Sequence, residues 1–201
     1  VMGTTKRIAE LLVRDQQSEN TRCMTVRFGN VLGSRGSVLK TFQDQVEARQ
    51  PITVTHPDMT RYFMTIREAA LLVIEAMVMG GDGSTYILEM GNPVSILELA
   101  QNLLILSGYD PTEGDSGPGI EITSLRPGER LHEALTEEYE ELTASEHPLI
   151  SMTKPAEGGD VLYSSELEIG CKLAFDGDVD GVRRWLADIL QQPSLDKSPG
   201  K

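Results

Sequence analysis

The sequence predicts an α/β fold, and three observations carry that prediction. Segments with helical apolar spacing alternate with short segments whose apolar residues recur every second position. Glycine or proline stands at nearly every junction between them, as at Gly29, Pro51, Gly80 and Gly108. Two helices announce their first turn with a Thr/Ser-x-x-Glu box, Thr65 to Glu68 and Ser95 to Glu98, in which side chain and backbone can satisfy each other's hydrogen bonds.

In chain order, Ile8, Leu11 and Leu12 predict a helix from about Thr4 to Asp15. Asn20 and Thr21 break it, and the alternating Met24, Val26 and Phe28 predict a strand over Arg22 to Phe28. A glycine-studded loop follows, from Gly29 to Gly36. Ser37 is placed to cap a helix carrying Val38, Phe42 and Val46 on one side and ended by Pro51. Ile52 to Thr55 reads as a short strand and Thr60 to Met64 as extended chain. The Thr65 helix has Ala69, Leu72, Val73, Ala76 and Met77 on its expected buried face, with Gly80 to Gly83 as its stop. Thr85 to Met90 is a further strand. The Ser95 helix follows, with Ile96, Leu99, Ala100, Leu103 and Leu104 in register and Gly108 at its end. Ile120 to Leu125 alternates as a strand, Arg130 to Leu142 is expected to be helical, and Ile150 and Met152 suggest a last strand. Val182, Trp185, Leu186 and Ile189 place a final helix over Val179 to Leu190, and from Pro193 onward a polar, disordered tail is expected.

Composition narrows the function. The 201 residues include 18 Lys and Arg against 31 Asp and Glu, a formal net charge of −13. That balance disfavours a nucleic-acid or anionic-membrane binder, yet leaves room for a local basic pocket. Hydrophobic residues make up 39% and charged residues 24%, which fits a globular protein and not a disordered one. The longest apolar run, Ala69 to Ile74, is far shorter than the roughly 18–20 residues that span a bilayer. No secretory leader is recognisable. Cys23 and Cys171 lack metal or disulfide spacing and read as free thiols of a reducing compartment. The three histidines, His56, His132 and His147, stand singly, so no zinc site is expected. No Gly-x-Gly-x-x-Gly follows a strand, so the phosphate-cradling loop of a dinucleotide fold is missing here. Because the first residues run straight into a helix, the sequence reads as a piece of a longer chain.

Four blocks then form a pattern: residues 1–10 (VMGTTKRIAE), 27–38 (RFGNVLGSRGSV), 55–66 (THPDMTRYFMTI) and 125–131 (LRPGERL). In order and approximate spacing they resemble the polysaccharide-biosynthesis nucleotide-sugar 4,6-dehydratases of the extended short-chain dehydrogenase/reductase family. The resemblance covers nearly all of residues 1–155. It implies the C-terminal part of an extended short-chain dehydrogenase Rossmann fold with its smaller substrate-binding domain, and residues 156–192 as an extension. The implied substrate is a UDP-N-acetylhexosamine such as UDP-N-acetylglucosamine, and the implied cofactor is NAD or NADP. Hydride passes from sugar C4 to the cofactor, water leaves across C5 and C6, and hydride returns at C6. The product would feed capsule, lipopolysaccharide or glycan synthesis, on the cytoplasmic side of a membrane. Large members of the group carry membrane-spanning helices ahead of this region.

Met2 and Lys6, four residues apart, share one helix face. Oxidising an alcohol requires an acceptor for its proton. By resemblance Lys6 is the lysine of the family's Tyr-x-x-x-Lys, which holds the nicotinamide ribose. Met2 occupies the tyrosine position, as in the large membrane-linked dehydratases, and a thioether carries no proton, so the acceptor lies elsewhere. Glycines in the 27–38 block allow close approach of the backbone to a ligand, and the helix start at Ser37 suits an anion. By resemblance Phe28, Gly29, Asn30 and Val31 border the nicotinamide, Asn30 also donates to the substrate diphosphate, and Ser37 and Val38 line the nucleotide. Arg61 and Arg126 would grip the diphosphate bidentately from two sides. Glu129 would meet a ribose hydroxyl or orient an arginine. By resemblance His56 reads as a loop histidine packing near the uridine and not as a catalytic base, His132 reads as structural, the acidic run Glu137, Glu138, Glu140 and Glu141 as a solvated helix face, and Trp185 as core.

A UDP-sugar 4-epimerase would share these arginines but needs the tyrosine that Met2 replaces. A non-catalytic substrate-binding or interaction module is the alternative of another class. Without the glycine-rich loop, the chain alone is expected to be inactive and not to bind NAD. Its unpartnered strand edge and apolar helix face predict association, with the missing Rossmann half or with a second copy.

Overall fold

A computed structural model describes residues 2–16, 18–34, 36–80, 83–110, 117–136, 140–153 and 164–191. The expected tail from Pro193 lies outside them. Helix α1 (Met2–Asp15) buries Ile8 and Leu11. Of the expected strand at 22–28, only β1 (Thr25–Arg27) pairs. A second short strand, β2 (Asn30–Leu32), lies within the expected loop. Chain pairing explains β2: the Asn30 N–H donates to the Tyr62 carbonyl at 2.9 Å, and Asn30 to Leu32 run parallel to residues 63–65.

Ser37 caps α2 (Val38–Glu47), its Oγ accepting the Lys40 N–H at 3.4 Å, and Phe42 and Val46 are buried. The helix stops at Glu47, ahead of Pro51, where Arg49 turns the chain with φ of 53°. Then come β3 (Ile52–Val54), β4 (Thr60–Arg61), β5 (Phe63–Thr65) and α3 (Ile66–Met79). Thr65 and Glu68 form the full capping box. The buried face of α3 is Ala69, Leu72 and Ala76. Val73 and Met77, expected to be buried, are 36% and 61% exposed because the helix sits on the sheet along its small-residue stripe.

The remaining elements are β6 (Thr85–Leu88), β7 (Val94–Ser95), α4 (Ile96–Leu106), β8 (Ile120–Ile122), β9 (Leu142–Ala144), β10 (Ile150–Thr153), α5 (Ser164–Phe175) and α6 (Val179–Gln191). One sequence expectation is corrected here. Residues 130–136 are irregular rather than helical, and Leu142 begins β9; residues 137–139 lie outside the described part. Long-range bonds override the helical pattern: Arg61 takes the carbonyls of Arg130 and Leu131, and Arg27 that of Leu135. Helix α5 was not legible, since its interior Gly170 argues against a helix. The reason for the glycine is the fold, because a Cβ there would sit 2.3 Å from the Trp185 ring.

The main sheet has the order β1-β6-β10-β9, with β1 parallel to β6 and the other pairs antiparallel. Two parallel pairs, β2 with β5 and β3 with β8, and one antiparallel pair, β4 with β7, stand beside it. Three apolar clusters hold these parts together. Phe42, Ile52, Val54 and Leu104 lock α2, β3 and α4, and each fully buried side chain contributes about 1.5–3 kcal/mol. Leu72, Ala76, Tyr86, Leu88 and Ile150 seat α3 on β6 and β10. Ile8, Leu11, Leu186 and Ile189 join α1 to α6, with the half-buried Trp185 packed against them. Strand β1 is an edge of the main sheet among the described residues, and Leu71, Ile74, Met77 and Val78 on α3 are exposed.

Candidate functional site

An open cavity of about 670 Å³ lies along β1 and the side of α1. Helical spacing explains the α1 wall: Gly3, Lys6 and Glu10 recur every three or four residues and so line one face. Residues 24–29 form the floor, and Glu133, Ala134 and Leu135 close the third side. Met2 lies one turn before Lys6 and is 72% exposed at the open end of α1.

One largely buried ionic network ties the three walls together. Arg27 donates from Nε and Nη2 to the two Glu10 carboxylate oxygens at 2.7 and 2.8 Å, a bidentate pair. Its Nη1 donates to Glu140 at 2.7 Å and to the Leu135 carbonyl at 3.3 Å. Arg7 adds a third bond to Glu10 at 3.1 Å. Burial by itself would raise the Glu10 carboxyl, but the hydrogen bonds and charge of Arg27, then of Arg7, outweigh it and hold it below the ordinary carboxylate range. On the Arg27 side burial would lower the guanidinium, and the two carboxylates reverse that into an upward shift. Glu140, read from the sequence as part of a solvated face, is therefore a member of this network with a side chain only 8% exposed. Glu137 and Glu138 lie outside the described residues.

Lys6, Phe28 and Gly29 thus come together in one cavity. Asn30, on β2 beside it, directs Nδ2 to Glu133 Oε2 at 3.4 Å. Gly29 has an internal reason to be glycine: a Cβ would lie 2.8 Å from Tyr62 Cβ and 3.0 Å from its carbonyl oxygen. Val31 packs against the α3–β6 cluster and Val38 against the α2–α4 cluster, while the Ser37 hydroxyl is engaged in capping α2.

A second group forms around the Arg-Pro-Gly-Glu turn. Gly128, with φ of 81°, supplies the left-handed residue after Pro127, and the Glu129 N–H closes the turn on the Arg126 carbonyl at 2.9 Å. The Glu129 carboxylate accepts the Arg126 N–H at 3.0 Å and stands 3.9 Å from Arg61. Arg61 itself donates to the carbonyls of Thr60 at 2.7 Å, Leu131 at 3.0 Å and Arg130 at 2.9 Å. It therefore fastens the turn to β4, and the Arg126 side chain is left exposed. His132 pairs with the Thr60 hydroxyl at 3.0 Å, and the His56 ring accepts the Asp58 N–H at 3.1 Å. Among the described residues no three His, Cys, Asp or Glu side chains gather as metal ligands. None of the described helices is long and apolar enough to cross a membrane.

Sequence reasoning gave no role to Glu10, Arg27 or Glu133. The available signals were a charged residue alternating with Val26 in a strand, and a glutamate one turn beyond Lys6.

A lysine-bearing helix that leads into a parallel β1–β6 pair, with the cavity along β1, is the arrangement of an α/β protein, and the likeness to a solved structure reported below makes it the C-terminal portion of the extended short-chain dehydrogenase type. Residues 1–155 match the family described as polysaccharide biosynthesis protein, and the chain belongs to that family. It is 49% identical over 142 residues to the capsular polysaccharide biosynthesis protein CapD of Staphylococcus aureus, covering 70% of this chain and 23% of that protein. Over 197 residues it is 46% identical to the probable polysaccharide biosynthesis protein EpsC of Bacillus subtilis, covering 98% of this chain and 29% of that one. A UDP-glucose 4-epimerase of Rickettsia bellii is 30% identical over 169 residues, 81% of this chain and 46% of the epimerase. Among solved structures, Pen from Bacillus thuringiensis superposes with a TM-score of 0.64 at 35% identity, over 75% of this chain and 46% of its own. The chain thus spans about a quarter of the length of CapD and EpsC.

Proposed function

We propose that this chain is the substrate-binding half of an NAD- or NADP-dependent 4,6-dehydratase acting on a UDP-N-acetylhexosamine, UDP-N-acetylglucosamine being the reference substrate. The observation that carries the reading is Lys6 in the wall of the cavity along β1, with Met2 at the usual tyrosine position one turn earlier. The similarity to CapD and EpsC supports a role in making capsule or related polysaccharide. The epimerase reading draws on the Rickettsia relative, but it lacks a proton-carrying side chain at Met2.

The residues present suit the nicotinamide side of a cofactor: Lys6 would hold the ribose, and Phe28 to Val31 would border the ring. The dinucleotide would supply hydride acceptance and return. This chain's own part is to bind and orient the sugar nucleotide. Arg126 would reach the diphosphate, Asn30 would donate to it, and Arg61 would join by exchanging carbonyl partners for phosphate oxygens. Glu129 would steady both arginines or meet a ribose hydroxyl, and Ser37 and Val38 would line the nucleotide. Residues 1–155 would form the catalytic-domain portion and 156–192 an extension. The open edge of β1 and the exposed face of α3 would be covered by the rest of the longer protein, or by a second copy of this chain. That longer protein would work at the cytoplasmic side of a membrane, held by a region outside this chain.

Calorimetric titration of the mass-verified chain with UDP-N-acetylglucosamine, with and without NAD, tests the reading. Heat of binding for the UDP-sugar, weakened by Arg126→Ala, and none for NAD is the expected result. Binding of NAD alone, or turnover by the isolated chain, would overturn this division of labour.

A further inference from the structure

We propose that Glu133 is a hydroxyl-binding carboxylate of the cavity, reading a pair of sugar hydroxyls on the bound ligand; this rests on the nucleotide-sugar reading above. Glu133 lines the same cavity as Lys6 and is half-buried there. Its one hydrogen bond among the described residues is the long 3.4 Å contact from Asn30 Nδ2. An ionised carboxylate accepts at about four lone-pair positions and donates at none, so most of its capacity is unspent among the described residues. Both flanks are fixed: His132 is bonded to Thr60, and the carbonyl of Leu135 is held by Arg27. A carboxylate whose neighbours are fastened this way is held in place before a ligand arrives, the condition for selective recognition.

The chemistry of the complement follows. A phosphate is disfavoured, because two anions would meet. A bound metal ion is disfavoured, because no group of three potential ligands gathers among the described residues. Vicinal hydroxyls of a pyranose or ribose offer two donors to the two oxygens of one carboxylate.

The test is titration of the wild-type chain and Glu133→Gln with UDP, UDP-N-acetylglucosamine and nicotinamide mononucleotide. Glutamine keeps the shape but replaces one acceptor with a donor. The expected result is about a tenfold loss of affinity for UDP-N-acetylglucosamine with UDP unchanged, which assigns the hydroxyls to the hexose. A loss confined to nicotinamide mononucleotide supports the same carboxylate and assigns them to the ribose. Equal losses for UDP and the UDP-sugar would mean that Glu133 only supports the fold, and would overturn the proposal. Wild-type binding with no change in the variant overturns the Glu133 assignment alone. A wild-type chain that binds none of the three overturns the nucleotide-sugar reading together with it.

Discussion

Replacing Arg27 with methionine removes a side chain that joins all three cavity walls. Methionine preserves much of the buried stem, so the lost element is the guanidinium and its bonds to Glu10, Glu140 and the Leu135 carbonyl. The side chains of Arg27, Glu10 and Glu140 are 15%, 17% and 8% exposed, so water cannot replace the missing cation fully. Breaking a buried pair from one side costs about 3–5 kcal/mol. Arg7 still reaches Glu10 at 3.1 Å, which favours the lower end, about 3 kcal/mol. At roughly 2–4 °C per kcal/mol for a chain of this size, Tm should fall by about 6–12 °C at pH 7. The pH dependence supplies a second check. In the wild-type protein the Glu10 carboxyl lies below its ordinary value, so its stabilisation is present above the unfolded pKa and fades as pH falls through the folded one. In Arg27→Met the same carboxyl rises, accepts a proton more readily, and the penalty shrinks between pH 7 and pH 4. Urea denaturation of both proteins at the two pH values measures this. A difference below about 1 kcal/mol at pH 7, or one that grows on acidification, would refute the buried-network reasoning.

Two glycine substitutions test packing that neither local sequence rule anticipates. Gly29→Ala puts a methyl group against the Tyr62 backbone and should cost about 1–3 kcal/mol, read as a lower urea midpoint; an unchanged midpoint would mean that β2 and Tyr62 can separate freely. Gly170→Ala should favour an isolated helix by about 1 kcal/mol, yet its Cβ would fall 2.3–2.5 Å from the Trp185 indole. Net destabilisation and a red shift of fluorescence from Trp185, the chain's single tryptophan, are expected; a stabilised protein with unshifted emission would show that α5 and α6 do not pack as described.

Where local chemistry and packing agree, the elements were legible in advance. Helices α2 and α3 begin at Ser37 and Thr65 as their caps predict, and α1, α4 and α6 follow their apolar spacing. The failures share one cause, competition from distant partners. Residues 130–136 carry a helical pattern, but Arg61 and Arg27 take three of their carbonyls. Asn30 to Leu32 looks like loop until β5 arrives beside it. Gly170 looks like a helix breaker until Trp185 occupies the space above it.

The site divides in the same way. The sequence by itself determined the α/β class, the family and the identity of the motif residues, because caps, periodicity, turn glycines and motif order are properties of neighbouring residues. Only the tertiary structure decided that Lys6 shares a cavity with Glu133, that Arg61 fastens the Arg126 turn, and that Glu10, Arg27 and Glu140 form one buried network. Arg27 and Glu140 stand 113 residues apart, and no local rule pairs two charges over that span. They meet because folding withdraws both from most of the surrounding water, and each offsets the desolvation cost of the other.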